Sequence, residues 1–181
     1  MDLSIAPELR PDGYPAELEQ WIELGDGRMV FVRPVIPEDA PLLQGAIETA
    51  DSETVYQRFL RAPVRLDGRQ LDRLTRLDYA TRMAMAAFDP DGNGVAIARY
   101  EDVEPGVAEI AVAVDPAWRT CGMATALFDI LEQVATESGV ERMTAVFLPG
   151  NRPIANLLAG RGYVLAPPDG AVAGADKVLV R

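Results

Sequence analysis

The sequence contains no histidine and one cysteine, and each scarcity excludes a class of site; it also contains only one lysine, Lys177. Without histidine, neither a triad with a histidine base nor a histidine-ligated metal centre can form. The single cysteine, Cys121, excludes an internal disulfide and a cysteine-cluster site. No apolar run approaches the roughly 20 residues that span a membrane, and the first residues lack the features of a secretion signal. We therefore expect no metal, no membrane association and a cytoplasmic location.

The acidic balance of the chain narrows its partners. Lysine and arginine total 17 against 28 aspartates and glutamates, a formal net charge of −11 over 181 residues. This charge argues against binding to nucleic acids or to anionic membranes, because both require a basic protein surface. The charge suits basic partners, although an acidic surface that aids solubility is the simpler account. The length and the 49% hydrophobic content are typical of one soluble domain.

Hydrophobic periodicity predicts a mixed α+β fold. Residues 1–27, rich in proline, glycine and acidic side chains, are interpreted as an N-terminal extension, and residues 28–181 as one domain. The pattern predicts strands over 29–35, 83–89, 95–103, 107–115, 142–148, 163–165 and 177–180. It predicts helices over 37–50, 124–138 and 152–160, with further helical stretches in 51–61 and 67–78. Hairpins come first and a strand-helix-strand crossover later, which is not the order of a doubly wound parallel sheet.

The loop between the strand over 107–115 and the helix that follows has the features of a phosphate site. A helix N-terminus offers unpaired N–H groups and a partial positive charge. Gly122 lets a phosphate approach the backbone, Ala124 stays small, Arg119 adds a charged donor and Thr125 a hydroxyl. By itself, Arg-x-x-Gly-x-Ala is a weak pattern that an ordinary strand-to-helix turn also satisfies.

Together with a second motif, this loop resembles the GNAT family of acyl-CoA-dependent N-acetyltransferases. Arg119-x-x-Gly122-x-Ala124 is similar to the family's pyrophosphate loop, and Asn151 through Gly162-Tyr163 is similar to its Asn…Gly-Phe/Tyr segment. The resemblance covers roughly residues 29–165 and implies a GNAT fold, a mostly antiparallel twisted sheet of about six or seven strands flanked by helices. It implies acetyl-CoA as co-substrate, held by the backbone of Val112, Ala113 and Val114, by the loop residues Arg119, Thr120, Cys121, Gly122, Met123, Ala124 and Thr125, and by Asn151.

A narrower resemblance points to one subfamily. Residues 52–59, 74–79 and 82–87 are similar to the GNAT domain of bacterial Pat-type protein lysine acetyltransferases. Ala108-Glu109-Ile110-Ala111 also matches that group, in which a glutamate on this strand acts as general base. The resemblance therefore implies that Glu109 is the catalytic base and that the acceptor is a protein lysine.

Elementary chemistry supports a base at Glu109. A lysine amine has an ordinary pKa near 10.4, so at neutral pH it must lose a proton before it can attack. Strand alternation places Glu109, Ala111 and Ala113 on one face, and the apolar residues Ile110, Val112 and Val114 on the other. A solvent-facing strand glutamate without a catalytic role has the same pattern.

The sequence departs from the family at the general acid. Many GNAT enzymes carry a tyrosine four residues before the glycine of Gly-Phe/Tyr, and here that position is Leu158. Tyr163, Tyr56 and Tyr79 are unplaced candidates, and a thiolate is also a fair leaving group without an acid. Asn151 can cap the following helix, bind pantetheine, or do both. Cys121 has no histidine to activate it and is expected to contribute only its N–H.

Three functions follow from these observations. The first is acetyl transfer from acetyl-CoA to the ε-amine of protein lysines, by direct attack in a ternary complex. The second is acetylation of a small-molecule amine, which shares every acyl-CoA feature and differs only in the acceptor wall, roughly residues 36–82. The third is a non-catalytic acyl-CoA-binding module. We favour the first, and the sequence leaves the substrate, the acyl preference, the regulator and the oligomeric state open.

Overall fold

An eight-stranded sheet lies at the centre of the chain in the computed structural model, which describes residues 3–49 and 66–180. The strands are Gln20–Glu23 (β1), Met29–Pro34 (β2), Arg82–Phe88 (β3), Gly94–Glu104 (β4), Val107–Val114 (β5), Arg142–Phe147 (β6), Val164–Leu165 (β7) and Ala173–Val178 (β8). The α-helices within the described ranges are Ala40–Thr49 (α1), Gly68–Thr75 (α2), Met123–Glu137 (α3) and Arg152–Gly160 (α4).

The sheet is mostly antiparallel, as predicted. Its spatial order is β1-β2-β3-β4-β5-β6-β8-β7, and among its paired neighbours only β5 and β6 run parallel. The parallel pair is the strand-helix-strand crossover that the sequence predicts, with α3 as its helix. The expected six or seven strands become eight, because Gln20–Glu23 adds an edge strand before the first predicted one.

Most of the other predicted elements are found close to their expected bounds. The helix over 152–160 is confirmed, and a 3-10 turn at Pro37–Asp39 precedes α1. The prediction for the last strand is wrong in its bounds: β8 begins at Ala173, whereas 177–180 was expected. The helical stretch predicted in 51–61 lies outside the described residues.

The N-terminal segment joins the sheet through β1. Trp21 lies opposite Phe31 in the β1–β2 register, and their rings are 5.4 Å apart. Leu24, which follows β1, is only 5% exposed and belongs to the main hydrophobic core. The division predicted at residue 27 therefore lies in the turn between two paired strands, and it remains a prediction.

The two faces of β5 differ in the way that its alternation predicts. Ile110 is buried in the core, whereas Glu109 is exposed. Helix α3 contacts β3, β4 and β5 and buries Leu127 and Leu131 completely. In the described part of the chain, no helix is both long enough and apolar enough to cross a membrane.

A buried ion pair fixes the entry into α1. Arg33 on β2 donates from both terminal nitrogens to the carboxylate of Asp39, at 2.8 and 2.7 Å. Asp39 also accepts a hydrogen bond of 2.9 Å from the backbone N–H of Ile36. Bidentate arginine–carboxylate pairs have a defined geometry. This pair therefore sets where α1 leaves the sheet, and α1 forms one wall of the cleft described below.

Candidate active site

The parallel ladder between β5 and β6 ends halfway along β5. Only three pairs form, the last of them between Glu109 and Thr144. Beyond it, β6 pairs with β8 alone, and β5 pairs with β4 alone. Among the described residues, no strand therefore pairs with the β6-facing edge of β5 from Ile110 to Val114, and an extended ligand can pair with it as an added strand.

Hydrogen-bond alternation identifies the backbone groups on this edge. The N–H of Asp115 donates to the carbonyl of Val95 on β4, so residues 115, 113 and 111 direct their backbone groups toward β4. Val112 and Val114 direct theirs the opposite way. Of the three backbone positions expected to hold pantetheine, these two face the bare edge, whereas Ala113 contributes its side chain to the adjacent cleft.

The loop after β5 presents a run of N–H groups. A 3-10 turn at Pro116–Trp118, capped by the Asp115 carboxylate, leads into it. Thr120 and Gly122 both have positive φ, +63° and +92°. The backbone N–H groups of residues 120–125 donate to no other described residue, and the next, that of Ala126, donates to the Gly122 carbonyl at 3.0 Å. Consecutive unpaired N–H groups at a helix N-terminus form an anion site.

The side chains of the loop divide into exposed and buried sets. Arg119, Thr120 and Thr125 are exposed, and the Arg119 Nε donates to the Val114 carbonyl at 3.3 Å. Cys121 is buried, and its thiol donates to the Trp118 carbonyl at 2.9 Å. Met123 is also buried and Ala124 half-buried. With their side chains buried, Cys121 and Met123 can offer a ligand only their backbone, and the contribution expected of the Cys121 N–H remains a prediction.

A cleft of about 850 Å³ opens on the Glu109 face of the sheet. One wall is α1 with the turn before it, and the floor comes from β3, β4 and β5. The floor is made largely of small side chains, among them Ala86, Ala111 and Ala113, and the buried Arg99 borders it. The cleft extends to Pro116 and Ala117, so it reaches the beginning of the phosphate loop.

Glu109 lies two residues before Ala111 on the strand face that lines this cleft. Two strand residues correspond to about 7 Å along β5. Glu101 lies directly opposite Glu109 on β4 and is bound by Arg73 at 2.5 Å and by Arg99 at 3.1 Å. In the described ranges Glu109 has no such cation, so its carboxylate is available to an incoming amine.

Asn151 caps α4, as expected. Its side-chain oxygen accepts a hydrogen bond of 3.3 Å from the backbone N–H of Ile154. The residue lies in the loop after β6, the strand that separates from β5. The ligand role expected for it remains a prediction.

The candidate general acids that the structure describes donate hydrogen bonds within the protein. Leu158, at the position of the family's usual tyrosine, has no acidic group and is completely buried. The Tyr79 hydroxyl donates to the Val35 carbonyl at 2.9 Å, and burial raises the pKa of Tyr79 to about 12. The Tyr163 hydroxyl donates to Glu132 at 3.0 Å, and burial followed by the charge of Glu132 raises the pKa of Tyr163. Tyr56 lies outside the described residues.

A buried charge network supports α3, and sequence reasoning did not find it. Glu132 binds Lys177 at 2.6 Å and Arg161 at 3.0 Å. Arg161 also donates to the carbonyl of Thr125, in the first turn of α3. Burial raises the pKa of Glu132, but hydrogen bonds from Arg161 and Lys177 outweigh it and hold that pKa below its ordinary value. The three charged side chains come from distant segments, which is why no local motif marks them.

Two further features escaped the sequence analysis. Arg99 at the cleft and Arg28, which stacks on Trp118 beside the phosphate loop, carry no local motif. The alternation of β4 could have placed Arg99 on the Glu109 face. In the described ranges, no group of three or more aspartate, glutamate or cysteine side chains is arranged to hold a metal ion.

Comparison with known proteins identifies the family. The family model described as "Acetyltransferase (GNAT) family" matches residues 45–163. The protein named Acetyltransferase PA5475 from Pseudomonas aeruginosa is 31% identical over 153 residues, which are 82% of each chain. Acetyltransferase Pat from Mycolicibacterium smegmatis is 29% identical over 154 residues. The matched part is 82% of this chain but only 45% of the length of that protein.

A solved structure confirms the resemblance to Pat-type GNAT domains. The GNAT domain of S. lividans PAT superposes with a TM-score of 0.84 at 31% identity. The match covers 92% of this chain and 99% of that one. The loop after β5, the bare edge of β5 and these similarities lead to one conclusion: the chain belongs to the GNAT family of acetyltransferases and is an acyltransferase.

Proposed function

We propose that this acyltransferase transfers acetyl from acetyl-CoA to the ε-amine of protein lysines, by direct attack in a ternary complex with Glu109 as general base. The similarity to the GNAT domain of S. lividans PAT, named above, supports a Pat-like acceptor. The acidic balance of the chain is compatible with basic segments as substrates. These two observations concern the acceptor.

The observation that carries the proposal is the position of Glu109. Its carboxylate is exposed, lies on the cleft face of β5 and belongs to the residue at which the β5–β6 ladder ends. An amine that enters the cleft is thus offered a proton acceptor beside the bare strand edge. Glu101, although directly opposite, is bound by Arg73 and Arg99 and is a poorer acceptor for the same proton.

The described residues fit acetyl-CoA on the other side of the site. The unpaired N–H groups of residues 120–125 suit a diphosphate, with Arg119 beside them. The bare backbone groups of Val112 and Val114 suit the amide groups of pantetheine. When bound, acetyl-CoA supplies the activated acyl thioester. The chain's own residues bind it, orient it along β5 and remove the proton of the acceptor amine.

The departing thiolate does not depend on a tyrosine in this proposal. Leu158 occupies the position of the family's usual acid, and Tyr163 and Tyr79 already donate within the protein. A thiol with an ordinary pKa near 8.5 is a fair leaving group. We therefore propose that the thiolate leaves without a side-chain acid from the described residues and takes its proton from water.

The experiment that tests the function supplies labelled acetyl-CoA to a cell extract with and without the enzyme. The products are separated into proteins and small molecules, and acetyl-lysine is located by mass spectrometry. Enzyme-dependent label on protein lysines supports the proposal and identifies the substrate. Label confined to small amines would replace it with the small-amine reaction, and label in neither fraction would contradict both.

A further inference from the structure

The turn between β1 and β2 packs on the phosphate loop, about 90 residues away in the sequence. The backbone N–H of Gly25 donates to the carbonyl of Cys121 at 3.0 Å. Arg28 donates to the carbonyl of Ala117 at 3.1 Å, and its guanidinium lies 4.1 Å from the centre of the Trp118 ring. The segment Leu24–Arg28, here called the bracing turn, therefore contacts the loop at Cys121 and the 3-10 turn that leads into it at Ala117 and Trp118.

The bracing turn holds its own arginine in place. Arg28 Nε donates to Asp26 Oδ2 at 2.8 Å, and the backbone N–H of Arg28 donates to Asp26 Oδ1 at 3.1 Å. Leu24 anchors the turn in the core. A planar guanidinium fixed on two sides loses little further freedom when it stacks on a ring, so the contact with Trp118 is preorganised.

The bond to Cys121 has a directional consequence for the site. In a trans peptide, the C=O of one residue and the N–H of the next point in opposite directions. Because the Cys121 carbonyl is directed at Gly25, the N–H of Gly122 is directed away from the bracing turn. That N–H belongs to the unpaired run that presents an anion site.

The loop needs such support because its conformation is strained. Thr120 has φ +63°, a left-handed conformation that costs a residue with a side chain about 1–2 kcal/mol. Strained backbone persists where its surroundings determine it, and the local hydrogen bonds come from Trp118, Arg119, Thr120 and Cys121 themselves. Gly25 and Arg28 provide contacts from outside the loop.

We propose that the bracing turn is a positioning element of the acyl-CoA site. Gly25 and Arg28 hold the loop in the conformation that directs its N–H groups at the diphosphate, without contacting the ligand themselves. This inference rests on the proposed function, because it requires the loop to bind acyl-CoA. It makes part of the N-terminal segment necessary for cofactor affinity.

The test compares variants of the full chain by calorimetric binding of acetyl-CoA and by steady-state kinetics. Gly25→Pro removes the N–H donor, and Arg28→Ala removes the stack and the bond to Ala117. We expect each to raise the Kd and the KM for acetyl-CoA about 5- to 20-fold, with kcat at saturation within about twofold of the wild type. Gly25→Ala keeps the donor, and its Cβ would lie an ordinary 3.5 Å from the Cys121 carbonyl, so it should lose much less affinity.

Two controls make the outcomes decisive. Arg142→Ala removes an equal charge from the exposed pair with Glu104 and should bind acetyl-CoA as the wild type does. Arg28→Ala is also compared on CoA and on 3′-dephospho-CoA, and an equal loss on both supports positioning. A loss confined to CoA would make Arg28 a ligand contact and overturn the inference.

The result distinguishes this inference from the function on which it rests. A wild-type protein that does not bind acetyl-CoA would refute the proposed function. A wild type that binds, with an Arg28→Ala variant that is folded by circular dichroism and binds equally well, would refute only the bracing role. Arg28→Ala keeps every backbone N–H group, so it still tests the bracing role if Gly25→Pro fails to fold.

Discussion

Glu101 and Glu109 lie directly opposite each other on β4 and β5, yet among the described residues only Glu101 is paired with arginines. They form a hydrogen-bonded antiparallel pair, whose Cα atoms lie about 5.5 Å apart. Two arginines neutralise Glu101, one from α2 and one from its own strand. Two like charges in this position repel each other. The arginines reduce that repulsion and leave Glu109 as the exposed carboxylate of the pair, on the strand face that farther along lines the cleft.

The first prediction separates these two carboxylates. We expect Glu109→Gln to lower kcat/KM for acetyl transfer about 100- to 1,000-fold, because the amide cannot accept the proton of the amine. Binding of acetyl-CoA should change little. Glu101→Gln is the matched control and should cost less than about tenfold in activity, with a loss of stability from the unpaired, buried Arg99. Equal activity of Glu109→Gln and the wild type would refute the base assignment.

The second prediction concerns the conformation of the phosphate loop. Gly122 has φ +92°, and a side chain there costs about 1–2 kcal/mol in the left-handed region. We expect Gly122→Ala to weaken acetyl-CoA binding about tenfold, measured as Kd by calorimetry. Gly160→Ala, at the end of α4 with nothing within 4 Å of its new Cβ, is the control and should bind normally. Undiminished affinity in Gly122→Ala would show that the ligand does not depend on this loop geometry.

The third prediction concerns the missing acid. Tyr163→Phe and Tyr79→Phe should keep kcat within about twofold, because both hydroxyls donate to protein acceptors and have raised pKa values. Each variant should lose about 1 kcal/mol of unfolding free energy, the usual net value of one hydrogen bond. Parallel denaturant unfolding and rate measurements check both parts. A loss of kcat of about 100-fold or more in either variant would identify the acid instead.

The fourth prediction is a pH dependence of stability. The pKa of Glu132 is lowered in the folded protein, so its contribution is complete above the ordinary value of 4.5 and is lost as the pH falls through the lowered one. Glu132→Gln should destabilise the protein by about 2–4 kcal/mol at neutral pH, because Arg161 and Lys177 lose a buried partner. Its stability should decline less steeply than that of the wild type below pH 4.5. Glu137→Gln, exposed on the same helix, is the control, and equal acid profiles for the wild type and Glu132→Gln would contradict the assignment.

Local sequence chemistry predicted those parts of the fold that depend on neighbouring residues. Helix α4 has its bounds as predicted, because Asn151 caps it and Pro153 suits its first turn. Strand β1 escaped detection because Gln20–Glu23 is short and lies in a segment rich in proline, glycine and acidic residues. Strand β8 begins earlier than expected because Ala173–Ala175 has no β-branched residue, and its pairing with β6 overrides that weak propensity.

In the candidate site, too, the features set by neighbouring residues were predictable and those set by distant residues were not. The face of β5 that bears Glu109 was predictable from alternation, and the loop from its glycine and its place between strand and helix. The end of the β5–β6 ladder was not predictable, because backbone pairing does not depend on a local motif. Nor was the contact of Arg28 with Trp118, since it joins distant segments, whereas the alternation of β4 could have placed Arg99 and Glu101 on one face.

Lys177 is the chain's only lysine, and its ammonium group lies 2.6 Å from the buried carboxylate of Glu132. An acyltransferase binds an activated acyl group close to its own amines, so its own lysines are exposed to acetylation. This one presents a single lysine to that hazard, and the ion pair with Glu132 hinders attack by its nitrogen. At most one of its side-chain charges can be lost to acetylation, so label at more than one lysine in its presence comes from other proteins.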